Sequence, residues 1–193
     1  MALREWTILA PGPSLETWKE DEIIAPGPVI GLNSGVLSPL HTDFWCMQDD
    51  ARQFVHVAET FDLPKKQKVI IWCREEYTDF WRNLGYRVWP HPDEETEFRE
   101  EFWKNPIPVD YGSLSCFTLS VAVIRAIAYG AKDINIYGCD MDGKGYSFNA
   151  VDMRQRNDEV WRRRWETELT LFDRLLKLVN SVGVKLIRHK KNI

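Results

Sequence analysis

Short apolar runs alternate with longer mixed stretches along most of the chain, and this pattern is typical of an α/β protein. The runs are four to six residues long in most cases and are bounded by Gly, Pro, Asn or Asp, as buried strands are. We predict strands at residues 6–10, 28–33, 43–47, 68–73, 87–89, 133–137 and 184–187.

The stretches between these runs carry helical signals. Residues 114–128 are apolar and rich in alanine, and Gly130 is placed to end that helix. In the last long stretch, residues 158–179, apolar residues recur at helical spacing: Trp161, Trp165, Leu169, Phe172, Leu176 and Val179. Three shorter helices are also predicted: one begins near Ser14, one ends near residue 59, and one covers residues 75–84. Strands that alternate with helices predict a Rossmann-like, three-layer α/β domain with a mainly parallel sheet.

Length and charge narrow the class of protein. The chain has 193 residues, which favours a single domain over residues 1–193. A net charge of −4 argues against nucleic acid as a partner, and the arginines near residues 154–164 are interpreted as a solvated face. With no apolar run of about 18 residues and no secretory h-region, we expect a cytoplasmic protein without a membrane partner. The four cysteines are then expected to be buried free thiols, and a surface group of tryptophans would favour a homo-oligomer.

Small and polar residues follow several of the predicted strands. In open parallel sheets ligands bind at the carboxyl ends of the strands, so these residues are the candidate nucleotide site. They are Gly12, Pro13, Ser14, Asn33, Ser34, Gln48, Asp49 and Asp140. Ser14 at a helix start suits a phosphate, but a plain N-cap explains it as well. The same two explanations hold for Ser113, Ser115 and Thr118 at the start of the later helix.

Asp140 and Asp142 form a D-x-D pair directly after a predicted strand. Two such carboxylates can hold a magnesium ion that bridges phosphates, although aspartates also form ordinary turns. Magnesium is therefore a candidate cofactor, and no other cofactor is indicated. Residues 141–157, rich in Gly and Asp, are predicted to form a loop or lid. Neither a G-x-G-x-x-G nor a P-loop sequence is present.

Two segments resemble a known group of proteins. Ile8-Leu-Ala-Pro-Gly-Pro-Ser-Leu15 resembles a "GxGPSL" opening, and residues 115–140 resemble a signature that ends "A-x-x-x-G-x-K-x-I-x-L-x-G-x-D". The pair of motifs is similar to that of bacterial sialyltransferases of the Campylobacter type. It is also similar to the domain family of archaeal 6-hydroxymethylpterin pyrophosphokinases and flagellin-glycosylation accessory factors. The resemblance covers about residues 6–50 and 113–140.

The resemblance implies a nucleotide or a nucleotide sugar as ligand. It implies that Ser14, Asn33 and Ser115, or Thr118 in place of Ser115, contact the nucleotide. The sialyltransferase group uses CMP-sialic acid without a metal, with a histidine of the lid as general base. In this chain no histidine lies between Met141 and Arg188, and His189 follows.

Three functions remain open at this point. The sequence favours a glycosyltransferase that uses a nucleotide-activated sugar, with Asp49, Asp140, Asp142 and His189 as the candidate catalytic residues. The first alternative is a pyrophosphokinase-like enzyme in which Asp140 and Asp142 hold magnesium. The second is a non-catalytic nucleotide-binding or scaffold domain.

Overall fold

The computed structural model describes residues 4–61, 68–88, 118–141 and 158–191. Every predicted strand is present in this part of the chain, and the ends agree within a few residues. The strands are β1 (Glu5–Leu9), β2 (Val29–Leu32), β3 (Phe44–Cys46), β4 (Ile70–Trp72), β5 (Arg87–Val88), β6 (Asp133–Tyr137) and β7 (Lys185–Arg188). The five inner strands β1–β4 and β6 are largely buried, whereas the edge strands β5 and β7 are half-buried or exposed.

The strands form one seven-stranded sheet in the order β5-β4-β3-β2-β1-β6-β7. All neighbouring pairs are parallel, which confirms the predicted fold class. The chain builds outward from β1 to β5 and then returns to the other side of β1 with β6. The topological switch point, where ligands of such sheets bind, therefore lies between the carboxyl ends of β1 and β6.

One face of the sheet is covered by two helices, which we call α3 (Thr118–Ala128) and α4 (Asp158–Ser181). They pack on Ile8, Ile30, Ile134 and their neighbours as one core cluster. The predicted apolar stripe of α4 is partly wrong, because Leu169 is 43% exposed. At 100° per residue Leu169 points about 120° away from the fully buried Leu175, so it leaves the buried face.

The opposite face is covered by short segments. These are the 3₁₀ turns Pro13–Thr17, Glu20–Glu22, Asn33–Leu37, Ala51–Phe54 and Glu75–Tyr77, with the helices α1 (Val55–Glu59) and α2 (Thr78–Asn83). The helix expected from Ser14 is thus only a five-residue turn, and Gly12 rather than Ser14 is its N-cap. The Thr17 hydroxyl donates to the Ser14 carbonyl and Trp18 is extended, so the turn ends there.

Three of the four cysteines lie in the described residues, and all three are buried free thiols, as expected. They are Cys46, Cys73 and Cys139; Cys116 lies outside that part of the chain. Burial raises the pKa of Cys73 to about 11 and that of Cys139 to about 12, so both thiols are neutral at pH 7. In the described ranges no helix is both long and apolar enough to cross a membrane.

Candidate functional site

The ends of β1 and β6 are in direct backbone contact at the switch point. The Ala10 N–H donates to the Tyr137 carbonyl at 2.8 Å, and the Gly12 N–H donates to the Gly138 carbonyl at 2.7 Å. A Cβ atom on Gly12 would lie 2.2 Å from the Gly138 oxygen. Sequence analysis placed Gly12 in the candidate nucleotide site, and in the structure its lack of a side chain lets this strand end approach the end of β6.

Ser14 and Asp140 are joined across this junction. The Ser14 N–H donates to Asp140 Oδ2 at 2.7 Å, and the Ser14 hydroxyl donates to Asp140 Oδ1. Ser14 is fully buried. An internal carboxylate therefore occupies the two donors that the sequence offered to a phosphate.

Asn33 has an unusual backbone conformation at the end of β2. Its φ of 48° lies in the left-handed region, which is rare outside glycine. The carbonyl of Asn33 accepts a hydrogen bond from Trp45 Nε1 at 2.8 Å. This bond fixes the position of the Asn33–Leu37 turn. A Cβ on Gly35 would lie 2.2 Å from the Leu9 carbonyl, so this turn sits against the end of β1.

The side chain of Asn33 carries an unsatisfied polar atom. Its Oδ1 is buried and has no hydrogen-bond partner within the part of the chain that the structure describes. A buried acceptor without a partner costs about 1–3 kcal/mol. Ser34 beside it is buried as well.

His189 directly follows β7 and lies on the face of the sheet that carries the Pro13–Thr17 turn. Its ring stacks on Tyr137, with centroids 4.3 Å apart, and meets the edge of Trp18. His189 Nε2 lies 2.8 Å from Asn135 Oδ1. An amide oxygen only accepts, so Nε2 carries the proton and Nδ1 carries the lone pair of the neutral ring. Partial burial lowers the pKa of His189, which keeps it neutral at pH 7.

Arg188 was missed by the sequence analysis. It is the last residue of β7, its Nη2 donates to the main-chain oxygen of Asp140, and its guanidinium lies 5.6 Å from the Phe172 ring centroid. The only signal in the sequence was that an arginine directly follows a predicted strand, as most of the other candidate residues do.

The remaining candidates are not drawn into this cluster. Asp49 follows β3, two strands away from β1, and is exposed. Thr118 begins α3 near the end of β3, where its carbonyl lies 4.0 Å from Cys46 Sγ. Ser113, Ser115, Asp142 and residues 142–157 of the expected lid lie outside the described residues.

Few possible magnesium ligands lie near the switch point among the described residues. Asp140 is present, but each of its oxygens already accepts a hydrogen bond from Ser14. No group of three or more His, Cys, Asp or Glu side chains suited to a metal occurs within residues 4–61, 68–88, 118–141 and 158–191. These residues alone fit a magnesium site poorly, so they give a metal no part in the reaction proposed below.

Comparison with known proteins identifies solved structures of similar fold. Neither a protein-family model nor a curated protein matches the chain. The sialyltransferase CstII from Campylobacter jejuni, in complex with CMP as a substrate analogue, is similar with a TM-score of 0.58 and 16% identity over 97% of this chain and 80% of that one. CstII in complex with a trisaccharide acceptor and CMP gives a TM-score of 0.55 and 15% identity, covering 96% and 80% of the two chains. At this identity the conclusion concerns architecture: the chain has a sialyltransferase-like fold.

Proposed function

We propose that this protein is a glycosyltransferase of the sialyltransferase type, which binds a CMP-activated sugar at the switch point between β1 and β6. The solved structures of similar fold contain CMP, and one also contains a trisaccharide acceptor. In this chain the strand ends carry polar side chains at the place where that fold class binds ligands.

The observation that carries the proposal is the buried Oδ1 of Asn33, which has no hydrogen-bond partner in the described part of the chain. A non-glycine residue in the left-handed region costs about 1 kcal/mol or more, and the buried acceptor adds to that cost. Both costs fall at one residue beside the switch point. A hydroxyl or amino group of a bound nucleoside would donate to Oδ1 and remove the second cost.

The reaction requires a base. The acceptor hydroxyl attacks the anomeric carbon of the sugar, the bond from that carbon to the phosphate oxygen of CMP breaks, and CMP leaves with the electron pair. The base takes the hydroxyl proton. Among the catalytic candidates in the described residues, His189 is best suited, because it is neutral at pH 7 and Asn135 orients its Nδ1 lone pair away from that contact. The oxygens of Asp140 are already bonded to Ser14.

The first experiment measures the binding of CMP and of ATP to the full chain by calorimetry, each with and without magnesium. The test variant is Asn33→Gly, which tolerates the left-handed backbone and removes only the side chain. We expect CMP binding about tenfold weaker or more, corresponding to about 1.4 kcal/mol. The variant should be at least as stable as the parent protein, because it relieves the left-handed backbone strain and removes the buried acceptor. The control is Asn83→Gly, at an exposed helix end, which should bind CMP normally.

The outcomes separate the three functions. CMP binding without magnesium, lost in Asn33→Gly, supports the glycosyltransferase. Binding of ATP only in the presence of magnesium would instead indicate the pyrophosphokinase-like enzyme. Absence of binding to every nucleotide would indicate a scaffold. For the base, His189→Gln should lower the rate of CMP-sugar turnover and leave the Kd for CMP unchanged.

A further inference from the structure

Asp140 accepts hydrogen bonds at both its side chain and its main chain, from residues at the ends of two other strands. Ser14, after β1, donates to its carboxylate, and Arg188, from β7, donates to its main-chain oxygen. These contacts link positions 126 and 48 residues apart in the chain. The ends of β1, β6 and β7 are thus cross-linked through one residue, and we call Ser14, Asp140 and Arg188 the strand-end clamp.

The segment that the clamp holds is conformationally demanding. Gly138 has a φ of 68° and Met141 a φ of 53°, so the chain enters the left-handed region twice within four residues. Glycine adopts this backbone without strain, whereas a residue with a side chain such as Met141 holds it only where its surroundings fix it. The bond from Arg188 to the Asp140 carbonyl falls between these two residues and therefore opposes relaxation of the segment.

Arg188 is itself costly to place. Its Nε is buried and lacks a hydrogen-bond partner within the described residues. Its planar guanidinium faces the Phe172 ring, which restricts its orientation. An unsatisfied donor on a partly buried cation carries a desolvation cost that packing alone would avoid, since an apolar side chain would fit against Phe172 without it.

We infer that Arg188 is a positioning residue: it fixes Asp140, and through Asp140 the Ser14 side of the switch point, in the geometry that accepts the nucleotide. The nucleotide part of this inference rests on the proposed function. The clamp itself does not, since it concerns contacts within the chain. Arg188 touches neither the reacting atoms nor the acceptor in this assignment.

The test compares Arg188→Met with Arg188→Lys. Methionine keeps the apolar contact with Phe172 and removes the donors, whereas lysine keeps a charge and a donor without the planar fork. Arg82→Met, which removes an exposed arginine paired with Asp79, is the control. For each protein three quantities are measured: amide hydrogen exchange at Ser14, the Kd for CMP, and the urea unfolding midpoint.

The inference predicts faster exchange of the Ser14 amide in Arg188→Met by at least about tenfold, as that amide loses its fixed carboxylate acceptor. The Kd for CMP should rise by at least about tenfold with a near-normal unfolding midpoint. Arg188→Lys should recover part of both effects, and Arg82→Met should show neither.

Unchanged Ser14 exchange in Arg188→Met would overturn the clamp. If exchange rises but CMP binds normally, Arg188 does not position the nucleotide site, and that part is wrong. A fall of the unfolding midpoint that accounts for the whole loss of binding, without rescue by lysine, would make Arg188 merely structural. If the parent protein binds no CMP, the proposed function fails, and Ser14 exchange still decides whether the clamp exists.

Discussion

The two halves of the sheet are stabilised in different ways. The core beside β3 and β4 is aromatic. Trp45 and Trp81 are both fully buried, with ring centroids 5.1 Å apart, and Tyr86 packs against them. At the ends of β1, β6 and β7 the contacts are polar and directional, and they run through Ser14, Asp140 and Arg188. The aromatic side relies on buried area, whereas the strand ends on the other side add a few directional hydrogen bonds to the core that α3 and α4 cover.

The difference separates stability from specificity. Aromatic packing is the sum of many weak contacts and does not define the position of any one polar atom. The polar junction defines positions of individual atoms, at the cost of left-handed backbone and unsatisfied groups. A hydrogen bond links the aromatic core to the candidate site: Trp45 Nε1 donates to the carbonyl of Asn33. The aromatic core thereby supports the strained turn at Asn33.

The largest expected effect is on the aromatic half. Trp81→Ala should lower the free energy of unfolding by about 3–5 kcal/mol, because a large buried ring leaves a cavity. Leu84→Ala, at a side chain that is 36% exposed, should change it by less than about 0.5 kcal/mol. Urea unfolding measures both. A loss of under about 1 kcal/mol in Trp81→Ala would contradict the assignment of stability to this half.

A smaller effect is expected at the polar junction, where two glycines can be compared. In Gly12→Ala the new Cβ would meet the Gly138 carbonyl and the Asp140 carboxylate, so β1 and β6 must move apart. Gly183 has a φ of 70°, but a Cβ added there would have no neighbouring atom within 4 Å. Gly183→Ala should therefore cost only about 1 kcal/mol of backbone strain.

Unfolding and CMP titration together sharpen this comparison. We expect Gly12→Ala to lose about 2 kcal/mol of stability and most of its CMP binding, while Gly183→Ala binds CMP normally. Normal CMP binding by Gly12→Ala would show that the junction of β1 and β6 does not define the nucleotide site.

The smallest effect concerns pH. Burial lowers the pKa of His189 in the folded protein below the ordinary 6.5, so the unfolded chain binds this proton more readily. The contribution of neutral His189 to stability is therefore complete above about pH 6.5 and is lost as the pH falls through its folded pKa. Urea midpoints from about pH 7.5 to pH 5 should fall less steeply in His189→Gln than in the parent protein. Equal slopes would contradict the burial of the ring against Tyr137 and Trp18.

Local patterns were enough for the elements but not for their exact faces. The strands follow from short apolar runs, and Gly130 ends α3 with a φ of 91°, as predicted. Leu169 fitted the helical spacing of α4 and is nevertheless exposed, because the spacing alone does not say which neighbouring row of positions meets the sheet. The helix expected at Ser14 is a single turn, because a side-chain bond and an extended Trp18 end it.

The alternation of strands and helices, and hence the parallel α/β fold, could be predicted from the sequence, because these depend on neighbours within a few residues. The sequence also placed Asn33, Ser14 and Asp140 at strand ends. Only the tertiary structure decided that β6 lies beside β1, that Ser14 binds Asp140, and that Arg188 completes the junction. Those contacts join residues far apart in the chain, so they depend on the path of the whole backbone rather than on any local pattern.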